Sequence, residues 1–147
     1  MGTIKNFEEL EIWISARELV NLIYSDFKDC SDFAFRNQIT RAGISIMNNI
    51  AEGFYRNSDA EFRQFLNISK GSAGEVRAQL YVALDQNYVD QQSFNRLHAL
   101  TTEISRMIGG LMNYLQNSGV KGTKYKKPTK VSTRNPKPET RNWKSND

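Results

Sequence analysis

Four cations, Arg56, Arg63, Lys70 and Arg77, recur every seven residues through the middle of the chain. On a helix this spacing returns a side chain to nearly the same face at intervals of about 10 Å. At least the last three would then form one line of charge able to track phosphates. Neutralising phosphates releases counterions, which drives nucleic-acid binding that does not read sequence. Phe54 and Tyr55 stand directly before Arg56 and could stack on bases. The commoner use of such a row is a solvated or salt-bridged face, and the commoner use of such rings is packing on a neighbour. A second basic set, Lys121, Lys124, Lys126, Lys127, Lys130, Arg134, Lys137, Arg141 and Lys144, fills the C-terminal segment. A run of that sign attracts RNA or DNA, or it serves solubility alone.

Groups suited to catalysis are few. His98 is the single histidine; it falls beside apolar helical positions with no Ser or Cys nucleophile paired to it, which favours a structural role. Cys30 is the single cysteine, so neither an internal disulfide nor a Cys/His zinc cluster can form. A di-iron bundle needs repeated Glu-x-x-His pairs, and none occurs. Glu8 and Glu11 supply one Glu-x-x-Glu spacing, as in the metal sites of helical nucleotide hydrolases, but no second acidic pair accompanies it. No catalytic residue, metal ligand or cofactor is expected.

The elements that would position the cations are legible from periodicity. From about Phe7 to Phe27, Leu10, Trp13, Ala16, Val20, Ile23 and Phe27 keep steps of three and four, predicting an amphipathic helix. Ser31 or Asp32 can cap the next helix, which runs from about Phe33 to Ala51 and stops near Gly53, a residue suited to the left-handed geometry past helix ends. Ser58 and Glu61 have capping-box spacing at the start of a third helix. Its buried stripe would be Phe62, Leu66, Ser69, Ala73, Val76, Leu80 and Ala83, and the glycines at 71 and 74 inside it suggest close helix approach. After a polar turn from Gln86 to Asp90, a fourth helix continues through Phe94, Leu97, Thr101, Ile104, Ile108, Leu111 and Leu115. Short connections leave antiparallel neighbours. The fold class is therefore all-α: an antiparallel up-down four-helix bundle over residues 1–118, followed by a disordered basic C-terminal tail over residues 119–147.

The second helix carries two apolar sets. Ile39, Ala42, Ile46 and Ile50 form one; Ile44, Met47 and Ala51 lie beside it. Two sets exceed what one four-helix bundle covers and predict self-association. A polar seam also runs along this helix, Gln38, Arg41, Ser45, Asn49 and Glu52, and such groups need specific partners when partly buried. An antiparallel turn near residues 57 and 58 would set Arg41 against Glu75 and Glu52 against Arg63. A partly buried Arg41–Glu75 ion pair would cost about 3–5 kcal/mol on loss of either member.

Charge divides sharply by position. Residues 1–118 carry 11 Lys or Arg against 14 Asp or Glu, a net −3, whereas residues 119–147 carry 9 against 2, a net +7. The basicity belongs to the tail, and long-range attraction to nucleic acid should depend on it. No apolar run approaches the ~20 residues of a membrane span. The N-terminus also lacks a signal-peptide pattern. A cytoplasmic protein that does not enter membranes is the expectation.

Three segments carry a resemblance: Phe7 to Trp13 (FEELEIW), Gln38 to Ser58 (QITRAGISIMNNIAEGFYRNS) and Glu61 to Glu75 (EFRQFLNISKGSAGE). Together they resemble, over about residues 5 to 117, the bacterial four-helix-bundle family encoded in intervening sequences of 23S ribosomal RNA genes, which also carries an S23-type ribosomal protein label. A related branch includes the accessory variability protein of diversity-generating retroelements. The resemblance implies a homo-oligomer, a pentamer in that branch, with RNA or DNA and a reverse transcriptase as partners. The function expected is non-catalytic: an oligomeric bundle that binds nucleic acid or assists a nucleic-acid enzyme. The alternative is a pure protein-interaction scaffold.

Overall fold

The computed structural model describes residues 3–117, and four helices account for most of them: α1 (Glu11–Asp26), α2 (Phe33–Phe54), α3 (Asp59–Asp85) and α4 (Gln91–Asn117). No strand forms among the described residues. α2 packs on α1 and α3, and α4 closes the ring by packing on α3 and α1. This is the antiparallel four-helix arrangement that the periodicity predicts. The apolar positions expected on α3 and α4 are all buried, and Phe27, Phe54, Phe62, Ile46, Ile50 and Leu66 are among the largest side chains fully removed from water. The predicted tail and its junction lie outside the described residues.

Three local departures have physical causes. The first helix does not start at Phe7. A short 3-10 turn, Phe7–Glu9, comes first, and Leu10 is extended before α1 begins. Glu9 reaches back to accept the backbone N–H groups of Lys5 and Asn6 at 3.4 and 3.3 Å, while Leu10 turns into the core at 4 % exposure. Secondly, Gly53 does not end α2, which runs on to Phe54. Its value is space: a Cβ there would lie 2.7 Å from Phe65 Cβ and 2.8 Å from Phe62 Cδ1. Thirdly, Gly71 and Gly74 do not mark close helix approach. Both are exposed, and a Cβ at either meets nothing within 4 Å.

Polar side chains close the helix ends. Asp32 Oδ1 accepts from Phe35 N at 3.1 Å, Ser58 Oγ accepts from Glu61 N at 3.2 Å, and Asp90 Oδ1 accepts from Ser93 N at 2.8 Å. Each satisfies a helix-start N–H that has no partner within the helix. Asp32 also ties two turns together, because its Oδ2 accepts from the Tyr88 hydroxyl at 2.6 Å. That bond, followed by the Phe35 N–H, holds the Asp32 carboxyl below its ordinary range. Asn87 takes a left-handed φ of 62° in the α3–α4 turn, a conformation that asparagine tolerates better than most residues.

Candidate functional site

The α2–α3 seam has the register expected from the turn, and different partners. Buried Ser69 donates its hydroxyl to Ile46 O at 2.9 Å, and Ser45 and Ser72 share a hydroxyl hydrogen bond at 2.8 Å. Asn49 Nδ2 donates to Ser45 O at 2.9 Å and Ser45 Oγ at 3.1 Å. Ser45 and Asn49 therefore belong to a satisfied polar ladder completed by Ser69 and Ser72. Pairs such as Ile46 with Ser69 fit the predicted antiparallel register. Nothing in the sequence marked Ser72 as Ser45's partner.

The charged pairs expected across that register do not form. Arg41 and Glu75 are both exposed and line one cleft with Gln38, but they do not form an ion pair with each other or with any other described residue. Long side chains in water gain little by pairing and lose rotamer freedom, so the predicted partly buried bridge and its stability cost are withdrawn. Glu52 bonds Arg56 four residues on, at 2.5 Å, instead of meeting Arg63. Arg63 lies one residue beyond buried Phe62, about 100° further round α3, which carries it away from α2.

The cation row is divided in the same way. Arg56 is held by Glu52, and its guanidinium carbon lies 4.6 Å from the centre of the Phe65 ring. Arg63, Lys70 and Arg77 follow the flank of α3 that faces α4. Tyr81, five turns along the face of Arg63, packs edge-on against Phe94 and His98 of α4 at 5.1 and 5.6 Å. Arg63 and Lys70 are half-buried and Arg77 is exposed. Arg63 Nε is buried without a hydrogen-bond partner. The tail cations Lys121, Lys124, Lys126, Lys127 and Lys130 lie outside the described residues.

His98 sits in an aromatic setting: it stacks on Phe94 with ring centres 5.3 Å apart, and its Nε2 lies 3.4 Å from the Tyr81 hydroxyl. Burial, then the positive charge of Arg77, lowers its pKa and favours the neutral ring. Among the described residues no three His, Cys, Asp or Glu side chains gather as a metal site would need. Tyr55, 53 % exposed, touches Phe7 and Phe54 edge-on at 5.9 and 5.1 Å. Phe54 itself is buried and unavailable to a base.

A cleft of about 580 Å³ opens between α2 and α3, lined by Asn37, Gln38, Arg41, Ser45, Glu75 and Gln79, with Ala34 and Ala42. Gln79 Oε1 is buried there without a hydrogen-bond partner. Asn37 and Gln79 had no signal in the sequence beyond helical spacing. Ile44, Met47 and Ala51 are half-buried within the bundle, whereas Ile68 and Val82 on α3 remain 51 % and 47 % exposed.

A family model described as 23S rRNA-intervening sequence protein matches residues 8–110. Among solved structures, a protein of unknown function from the S23 ribosomal protein family of Bacteroides thetaiotaomicron VPI-5482 is similar at 25% identity and a TM-score of 0.66. The match covers 69% of this chain and 97% of that one. No curated protein matches.

Proposed function

The chain belongs to the 23S rRNA-intervening sequence protein family, and from that premise we propose that it is a non-catalytic, self-associating helical bundle that binds RNA or DNA through phosphate charge in the cytoplasm. Its role is to assist a nucleic-acid enzyme such as a reverse transcriptase, as a pentamer like that of the related accessory variability proteins. The observation that carries this reading is charge segregation: net −3 over residues 1–118 against net +7 over residues 119–147. A pentamer concentrates five such basic segments on one particle, where counterion release from bound phosphates adds across copies. Arg63, Lys70 and Arg77 supply a second, weaker contribution on the α4-facing flank of α3.

Salt titrations of binding test it. Deleting residues 119–147 should weaken affinity strongly and flatten the salt dependence, by roughly 0.7 in logarithmic slope for each single-strand phosphate that is no longer neutralised. Replacing Arg63, Lys70 and Arg77 by alanine should do less. Retention of affinity and slope by the deletion, with loss in the triple variant, would move the site to α3. Light scattering at the 16.9 kDa monomer mass across micromolar concentrations would remove self-association.

The second reading, a protein-interaction scaffold without nucleic-acid binding, draws on exposed Ile68 and Val82 and on the acidic body. Failure of the full chain to bind any oligonucleotide at low salt would leave that one standing.

A further inference from the structure

Phosphate attraction makes no use of the cleft between α2 and α3, whose chemistry is of another kind. Arg41 lines it from α2, Glu75 and Gln79 from α3. Arg41 and Glu75 are exposed, and neither side chain makes an ion pair or hydrogen bond among the described residues. Gln79 Oε1 is buried without a partner, a cost that a donor entering the cleft would offset. Ser45 is spoken for by Ser72 and Asn49, while Ala42 adds a small apolar wall.

What remains unspent is a donor fork on the α2 side and a set of acceptors on the α3 side, the two carboxylate oxygens of Glu75 with the Gln79 carbonyl. A phosphate suits the first and is repelled by the second. A simple cation suits only the second. The matching ligand is small and flat, with acceptors on one edge and adjacent donors on the other. Guanine has that pattern: O6 and N7 accept from an arginine fork, and N1–H with the exocyclic amine presents two neighbouring donors to a carboxylate. Adenine and cytosine place a ring acceptor beside their amine, which would face a carboxylate oxygen with repulsion. Uracil offers one donor between two carbonyls.

We infer that this cleft binds an unpaired guanine base, with Glu75 holding the Watson–Crick edge, Arg41 the O6/N7 edge and Gln79 turning to accept a further donor. Unstacked bases in single strands are read on these edges. For a polymeric ligand the inference rests on the nucleic-acid reading above, to which it adds one base preference.

The test uses the full chain and labelled oligouridines carrying a single central guanosine, inosine or adenosine, followed by fluorescence anisotropy. Guanosine should bind about tenfold more tightly than adenosine, the discrimination of one good bidentate pair. Inosine, without the exocyclic amine, should fall between. Glu75→Gln should reduce the preference below twofold. The same change removes an anion and so should raise affinity for the adenosine oligonucleotide while guanosine loses its advantage, which separates lost recognition from misfolding. Free guanosine titrated into the isotope-labelled chain should shift the Gln79 and Asn37 side-chain amide resonances, with adenosine much weaker. Equal binding of the three oligonucleotides with no guanosine shift overturns the guanine site and leaves charge-driven binding intact. Guanosine shifts without oligonucleotide binding keep the cleft and refute the nucleic-acid reading. Absence of both removes the two together.

Discussion

Glycine occurs on both sides of the α2–α3 pair and does opposite things there. On the inner side, Gly53 lets α3 come close enough that Phe62 and Phe65 occupy the space of a side chain, the nearest at 2.7 Å from a Cβ position. On the outer side, Gly71 and Gly74 face open space, on a helix that also exposes Ile68 and Val82. The inner seam is filled and its hydroxyls are paired; the outer face is unfilled. A residue type therefore says little about its role until its neighbours are known.

The largest effect should come from Gly53→Ala. A Cβ at that distance must push on Phe65 Cβ, which lies next to backbone and cannot swing aside, so about 1–3 kcal/mol of stability should be lost in urea denaturation. An unchanged midpoint would show that the seam relaxes and that the contrast with the outer face is false.

Ser69→Ala should cost about 1 kcal/mol, because the hydroxyl bond to Ile46 O is made in a fully buried site. Ser72→Ala should cost less, since Ser45 keeps Asn49 as a partner.

On the outer face the sign should reverse. Gly71→Ala and Gly74→Ala each should stabilise the isolated bundle by roughly 0.5–1 kcal/mol by lowering the chain entropy lost on helix formation. If this face is where copies meet, light scattering should show the same substitutions altering assembly while monomer stability rises.

Arg41→Ala and Glu75→Ala should change stability by less than about 0.5 kcal/mol, as substitutions of exposed residues with no ion pair among the described residues do. A loss of several kcal/mol would restore the ion pair that the structure lacks.

The smallest effect concerns the α4-facing flank. His98 has a folded pKa below its ordinary 6.5, so the unfolded chain binds the proton first. Stability contributed by the neutral ring is complete above that ordinary value and is lost as pH falls through the folded pKa. Midpoints measured from pH 7 downward should therefore decline more in the parent than in His98→Asn; equal slopes would place the ring in water.

Periodicity made most of the fold readable, because burial of one helical stripe is a repeating demand on residue type. Spacing alone placed the stripes from Phe62 to Ala83 and from Phe94 to Leu115 in the core, and residue type at the helix starts pointed to Ser31 or Asp32 and to Ser58 as caps. The break at Leu10 escaped notice, since a 3-10 turn and an α-helix share nearly the same apolar spacing over three residues. The candidate site was less legible. Register correctly put Arg41 and Glu75 on one cleft, but whether two side chains across it touch depends on rotamers and water.

The sequence by itself determined four helices, their antiparallel order and the opposition between an acidic body and a basic C-terminal segment. Those properties follow from local spacing, capping residues and counted charge. Only the tertiary structure decided that Glu52 serves Arg56, that the charge of Arg77 acts on His98 of α4, and that Ser45 meets Ser72. It likewise decided which glycines are crowded. The physical reason is that a helical position fixes direction to within a flank. Partnership is settled over the last few ångströms, by what the neighbouring helix has at the same height.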